Sequence, residues 1–307
     1  KEAREIIANA IGASPEEIYF TSGGSESNNW VINGALDFEM DIVTTEIEHH
    51  SILRAVEHAS KIGCNVNYLQ VNRTGIVELS NLVELLPVPG LLVSIMMANN
   101  EIGSIQHISE LASVTKKRNG IFHTDAVQAV GHIDIDVKEL GVDMLSASAH
   151  KFNGPKGIGF LYIRKGLKWP QLIYGGAQEF GFRAGTENVA SIVGMAAALR
   201  ENIENLAINS IHLTKIENVF IDELYRQGVK YVRNGDFRHI PGCVSISFKD
   251  LEGETLLHRL DLKGVMISTG SACDSKETQI SHVLQAVGLE ERYAKAVSYT
   301  HLRAHET

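Results

Sequence analysis

The chain has 307 residues, 44% hydrophobic and 21% charged, a globular balance that excludes disorder or a collagen-like repeat as the main state. A formal net charge of −9 excludes a nucleic-acid binder held by bulk positive charge. The length fits one large domain or about two ordinary ones.

Lys1 to Ala10 reads as the start of a charged amphipathic helix rather than a signal peptide. The chain does not begin with Met, so its natural N-terminus is expected upstream. Ile18–Phe20 is strand-like and Asn29–Leu36 helical. Buried strands are expected at Asp41–Thr45, Val66–Val71, Leu91–Met97, Ile121–Asp125 and Met144–Ala147. Helices with apolar residues three and four apart are expected at Ser51–Ile62, Ser80–Leu86 and Ile108–Asn119. Strand and helix in alternation predict an α/β fold with a mostly parallel sheet covered on both faces. Asn188–Gln227 then reads as one or two long helices. Beyond it, strands are expected at Gly242–Phe248 and Val265–Ser268, and helices at Glu254–Leu260 and Ser281–Val287. The expected division is a large domain over residues 1–205 and a smaller α+β domain over 206–297, with 298–307 as a tail that does not resemble the family named below. The longest apolar stretch, Leu91 to Ala98, is too short to span a bilayer.

Three cysteines, Cys64, Cys243 and Cys273, cannot build a disulfide framework, and no CxxC pair occurs. A reducing, cytoplasmic setting is the expected one; a mitochondrial one stays open. His49 and His50 are adjacent and cannot share one helix face. With no HExxH and no Cys/His quartet, no metal site is expected.

Four polar clusters fall at predicted strand ends, where open α/β sheets bind ligands. Thr21–Asn28 carries Gly23 and Gly24 before a helix, which suits either a phosphate on free N–H groups or a plain capped turn. Asp125 ends a buried strand, where a carboxylate needs a partner; it could face a cationic ligand group or cap the next helix. Lys151 follows a run of small residues and precedes a Gly/Pro-bounded turn. It could be a Schiff-base lysine with a lowered pKa, or a loop lysine. Cys273 lies in the small, polar segment Ser268–Ser275, as a candidate nucleophile or an incidental thiol. Cys64 and Cys243 sit in apolar contexts and are expected to pack.

Seven segments extend these clusters: TSGGSESNN (21–29), TTEIEHHSI (44–52), NNEIGSIQ (99–106), HTDAVQAVGH (123–132), SASAHKFNGPKGIGFLYIR (146–164), GGAQEFGFRAGTEN (175–188) and STGSACDS (268–275). In this order they resemble a cysteine desulfurase, of the class V aminotransferase group of pyridoxal 5'-phosphate (PLP) enzymes with the fold type I architecture. The resemblance covers residues 1–297. It implies that Lys151 bonds the cofactor, that His49 stacks on its ring and that Asp125 keeps the ring nitrogen protonated. Asn100 and Gln128 match residues that bond the ring oxygen. Gly24, Ser25, Ser148 and His150 match the phosphate cradle. Thr186 matches a phosphate ligand given by a neighbouring subunit, which implies a homodimer. Arg183 receives no catalytic role.

Cys273 matches the nucleophile that takes sulfur from L-cysteine as a persulfide, releases L-alanine and passes the sulfur to an acceptor or scaffold protein for iron–sulfur cluster or thio-modification pathways. Thr-Gly-Ser-Ala-Cys at 269–273 favours cysteine over selenocysteine. Alternatives are a selenocysteine lyase, a catalytically weak or silent PLP-binding homologue, and a class V aminotransferase that does not need Cys273. The family also carries an N-terminal Asn-Ala-Ala-Thr-Thr type segment and a C-terminal arginine that binds the substrate carboxylate. Neither is matched here, and the surroundings of Arg303 differ from those of that arginine.

Overall fold

The computed structural model describes residues 1–85, 90–249, 251, 253–268, 281–294 and 297–301. They fall into two units. The first comprises residues 1–69, 78–97 and 107–206; the second comprises 70–77, 98–106 and the described residues from 207 onward.

In the first unit the chain order is α1 (Glu2–Ala10), β1 (Ile18–Thr21), α2 (Gly24–Asp37), β2 (Ile42–Thr45), α3 (His50–Lys61), β3 (Val66–Leu69), α4 (Leu79–Leu85), β4 (Leu92–Ser94), α5 (Ile108–Lys117), β5 (Ile121–Asp125), α6 (Val137–Leu140), β6 (Met144–Ser148), β7 (Gly159–Ile163) and α7 (Val189–Glu204). The strands form one sheet in the order β1-β7-β6-β5-β4-β2-β3. Neighbours from β6 to β3 run parallel, while β7 pairs antiparallel with both β6 and β1. The α/β, mostly parallel large sheet is therefore as expected. Strand β7 is the addition: its glycine-rich approach, Gly154–Gly157, hides the apolar run Ile158–Ile163 inside a loop-like context.

The helices bury one stripe each. Ile52, Ala55, Val56 and Ala59 do so on α3; Ile108, Leu111, Ala112 and Thr115 on α5; Ile192, Met195, Ala196 and Leu199 on α7. The shared i, i+3, i+4, i+7 spacing gives one apolar face to the core. On α2, Trp30, Val31, Ile32 and Ala35 join Tyr19, Met144, Leu161 and Trp169 in a core cluster. The Trp30 indole donates to the Pro170 carbonyl at 2.8 Å, so its polar edge is satisfied while its ring is buried.

In the second unit follow α8 (Leu206–Arg226), β8 (Val232–Asn234), β9 (Cys243–Ser247), α9 (Gly253–Asp261), α10 (His282–Ala286), α11 (Glu291–Ala294) and β10 (Val297–His301). The sheet order is β10-β9-β8, antiparallel throughout. One expectation is corrected. Val265–Ser268 forms no strand, Ser268 alone making a single bridge; Val265 and Met266 are 46% and 81% exposed, too open for the buried strand of the expectation. Residues 298–301 pair with β9 from Ile246 to Cys243. The run Val-Ser-Tyr-Thr-His is β-branched and aromatic, which suits an edge strand. Among the described residues, no helix is long and apolar enough to cross a membrane.

Candidate active site

The C-terminal ends of β2, β5 and β6 carry the side chains that the sequence singled out in the first unit. The β1–α2 turn supplies a backbone cradle beside them. Gly23 has φ of +148°, a region open in practice only to glycine. A Cβ there would meet Ser148 Oγ at 3.3 Å, and one on Gly24 would meet Val127 Cγ2 at 2.5 Å. Gly23 offers no side-chain cap to α2, so the first-turn N–H groups keep their capacity to bind an anion. Ser25 is exposed on that turn. Ser148, ending β6, has Oγ 2.9 Å from His150 Nδ1.

Asp125 ends β5 at 4% exposure. Its Oδ2 accepts from Asn28 Nδ2 at 2.6 Å and its Oδ1 from the Val127 N–H at 2.9 Å. Burial pushes its carboxyl up; the Val127 and Asn28 bonds and the charges of His49 and Lys151 oppose this without cancelling it. Asn28 Nδ2 also donates to Ser51 Oγ at 2.8 Å. Ser51 Oγ lies 2.8 Å from His49 Nδ1, which accepts from the Ser51 N–H at 3.1 Å. A continuous polar line thus runs from Asp125 through Asn28 and Ser51 to His49. Because a backbone N–H occupies Nδ1, the proton of a neutral His49 belongs on Nε2.

Lys151 lies in a 3₁₀ turn, Ala149–Phe152, directly after β6. Its carbonyl accepts from His132 Nε2 at 2.8 Å, and the next carbonyl, of Phe152, accepts from Asn202 Nδ2 on α7 at 2.8 Å. The backbone that presents the lysine is therefore held from two elements. Gln128 is half-buried in the turn after β5, and Thr186 is exposed before α7. Asn100 belongs to the second unit. Cys273 lies outside the described residues.

Glu48, His123, Arg4 and Glu179 escaped the sequence reading, and Arg183 was given no catalytic role in it. Glu48, fully buried after β2, accepts at Oε1 from Thr45 Oγ1 at 2.7 Å and from the Met96 N–H at 2.9 Å. Burial is the main cause that pushes its carboxyl to about 8. His123, fully buried on β5, is 2.9 Å from Ser94 Oγ on β4 and 3.0 Å from Ser146 Oγ on β6. Burial holds its ring down at about 3, so it is neutral. For His123 the available signal was a polar ring inside an apolar strand; Glu48, in the mostly polar run Thr44–His50, carried no such signal. Arg183 donates from Nε to Glu26 Oε1 at 2.9 Å and from Nη2 to Oε2 at 3.3 Å. Arg4 donates to both carboxylate oxygens of Glu179, at 2.8 and 2.7 Å, and Glu179 Oε2 accepts from the Phe20 N–H at 2.8 Å.

The aminotransferase class-V family model matches residues 1–296, and the chain belongs to that family. The cysteine desulfurase IscS of Dictyoglomus turgidum is 48% identical over 294 residues, covering 94% of this chain and 75% of that protein. The cysteine desulfurase of Homo sapiens is 39% identical over 301 residues, covering 96% of this chain and 65% of that one. Among solved structures, a NifS-like protein superposes with a TM-score of 0.91 at 37% identity, covering all of this chain (100%) and 82% of its own. SspA in complex with cysteine gives a TM-score of 0.86 at 34% identity, covering 100% of this chain and 87% of its own. The resemblance read from the seven segments, and the fold type I architecture it implied, are both borne out.

Proposed function

We propose that this chain is a PLP-dependent cysteine desulfurase that converts L-cysteine to L-alanine and holds the sulfur on Cys273. The observation that carries the reading is the polar line from His49 to the buried Asp125, set beside an uncapped helix start, in a chain so similar to cysteine desulfurases.

The residues present fit the cofactor. A buried carboxyl pushed up by burial is one that a protonated ring nitrogen would stabilise in its charged form. Asn28 Oδ1 is buried with no hydrogen-bond partner among the described residues, a spare acceptor for an added donor. The Gly23–Gly24 cradle leaves room against Ser148 and Val127 that a Cβ would fill. Gly24, Ser25, Ser148 and His150 would hold the phosphate, Asp125 the ring nitrogen, Gln128 the ring oxygen, and Lys151 the aldehyde carbon.

When bound, PLP supplies an electron sink that makes the α-proton of the substrate acidic. Lys151 Nζ would take that proton. His49, oriented by its Ser51 contacts, would stack on the ring face. The Cys273 thiolate would attack the substrate sulfur; the S–S bond forms as the substrate C–S bond breaks, the electron pair left on the substrate Cβ takes up a proton, and Lys151 returns the α-proton. L-Alanine leaves, Cys273 keeps a persulfide, and an acceptor or scaffold protein takes the sulfur onward for iron–sulfur cluster or thio-modification pathways. Thr186 is assigned to the phosphate of a second copy in a homodimer. Its exposure, and that of Tyr174, Phe180, Val189 and Val193 along the same stretch of chain, supports that assignment. The cytoplasm is the assigned compartment.

The test is alanine formation from L-cysteine by the PLP-loaded protein and a Cys273→Ser variant. The wild type is expected to form alanine and a persulfide, and the variant to bind PLP without turnover. Full activity in the variant would refute the desulfurase reading.

A further inference from the structure

Glu26 creates a conflict at the start of α2. Its Oε2 accepts from the Ser22 N–H at 3.2 Å, closing the chain around Gly23 and Gly24 and so shaping the turn. The same bond places a carboxylate in the first turn of the helix whose N–H groups are assigned to the phosphate. A negative charge there suits the helix dipole, but it repels a bound anion. Burial pushes the Glu26 carboxyl up, yet the Arg183 and Ser22 bonds outweigh it and the net shift is downward. The carboxylate is therefore charged at neutral pH, and Arg183 lies against it.

We infer that Arg183 is a positioning residue for the phosphate cradle: it neutralises Glu26 so that the carboxylate can shape the Ser22–Glu26 turn without repelling the anion. The inference rests on the PLP reading above. Arg183 is built for the task. Its backbone is bracketed by two hydrogen bonds to the Leu172–Ile173 stretch, Leu172 N–H to Phe182 O at 2.8 Å and Ala184 N–H to Ile173 O at 3.1 Å. Its guanidinium takes both Glu26 oxygens through Nε and Nη2, a paired geometry that lysine cannot reproduce. The two side chains are 23% and 19% exposed, so solvent screens the pair only in part. Three residues beyond Arg183 comes Thr186, so the same contact ties its segment to α2.

The experiment titrates PLP, and separately pyridoxal without the phosphate, into apo wild type, Arg183→Met, Arg183→Lys, Glu26→Gln and the Glu26→Gln/Arg183→Met double variant. Binding is followed by absorbance and folding by thermal melting. Arg183→Met is expected to weaken PLP by about tenfold, the scale of one uncompensated charge near a surface, and to leave pyridoxal nearly unchanged. The double variant is expected to regain most of the loss, Glu26→Gln to bind PLP at least as well as wild type, and Arg183→Lys to fall between. Equal weakening of PLP and pyridoxal, or a double variant no better than Arg183→Met, would overturn the inference while leaving the PLP reading intact. If Arg183→Met does not fold, weaker PLP binding by Glu26→Gln overturns it instead. A wild type that binds neither compound overturns both.

Discussion

Asn28 holds Asp125 across two elements: its Nδ2 on α2 donates to Oδ2 at the end of β5 over 2.6 Å. The same nitrogen reaches Ser51 Oγ at 2.8 Å, so one amide group orients both the acid and, through Ser51, His49. Asn28→Ala removes a bond to a buried carboxyl, which costs about 1–3 kcal/mol. Urea denaturation of the apo variant should show that loss, and its PLP affinity should fall. Unchanged stability and affinity would mean that the Asn28 bond has no such role.

The two buried titrating groups predict opposite pH limbs. His123 has a folded pKa near 3, below its ordinary 6.5, so its contribution is full above 6.5 and is lost as pH falls toward 3. Glu48 has a folded pKa near 8, above its ordinary 4.5, so its contribution is full below 4.5 and is lost as pH rises through 8. Between 4.5 and 6.5 the slopes oppose each other. Glu48→Gln keeps the oxygen that Thr45 and Met96 bond and removes the titration. Its stability relative to wild type should rise between pH 5 and pH 8, by up to about 1.4 kcal/mol per pH unit, and level off above. A pH-independent difference would contradict the assignment.

Arg4 and Glu179 form a pair at 2.7 Å, with side chains 17% and 3% exposed. The Arg4 guanidinium also lies 4.3 Å over the Phe20 ring. Glu179 and Phe180 both adopt positive φ, 46° and 56°, which the pair must hold in place. Arg4→Met leaves a buried carboxylate uncompensated and should cost about 3–5 kcal/mol. Arg4→Met/Glu179→Gln should recover part of it in guanidinium denaturation. No recovery would mean that the packing of Arg4, not its charge, matters there.

Gly24 approaches Val127 too closely for a side chain, with a virtual Cβ 2.5 Å from Cγ2. Gly24→Ala should therefore displace the cradle and weaken PLP binding. Because Val127 is β-branched and stiff, Gly24→Ala/Val127→Ala should restore much of the affinity. A harmless Gly24→Ala, measured by the same titration, would show that the close approach is not needed.

Most of the large sheet was legible because each strand is a short apolar run between helices with a repeating stripe, as in Ile52, Ala55, Val56 and Ala59. Strand β7 was not, because antiparallel pairing leaves no helix to announce it. Strand β10 was hidden by a sequence unlike the family. At the site, Asp125 stood out because a buried carboxylate at a strand end is costly without a partner, and Lys151 because it follows small residues and precedes a Gly/Pro-bounded turn. Their supports did not. Asn28 lies 97 residues before Asp125, and Ser94 and Ser146 flank His123 from other strands, pairings that only the sheet order creates. Arg183 looked idle because its partner, Glu26, is 157 residues earlier.

The central claim is that Lys151 bonds PLP beside Asp125. The most direct measurement is the visible absorption spectrum of the purified chain after PLP addition and desalting, beside a Lys151→Ala variant. A retained Schiff-base band in the wild type that is absent from the variant is the predicted result. A band that survives in Lys151→Ala, or no retained band in either, would contradict the account.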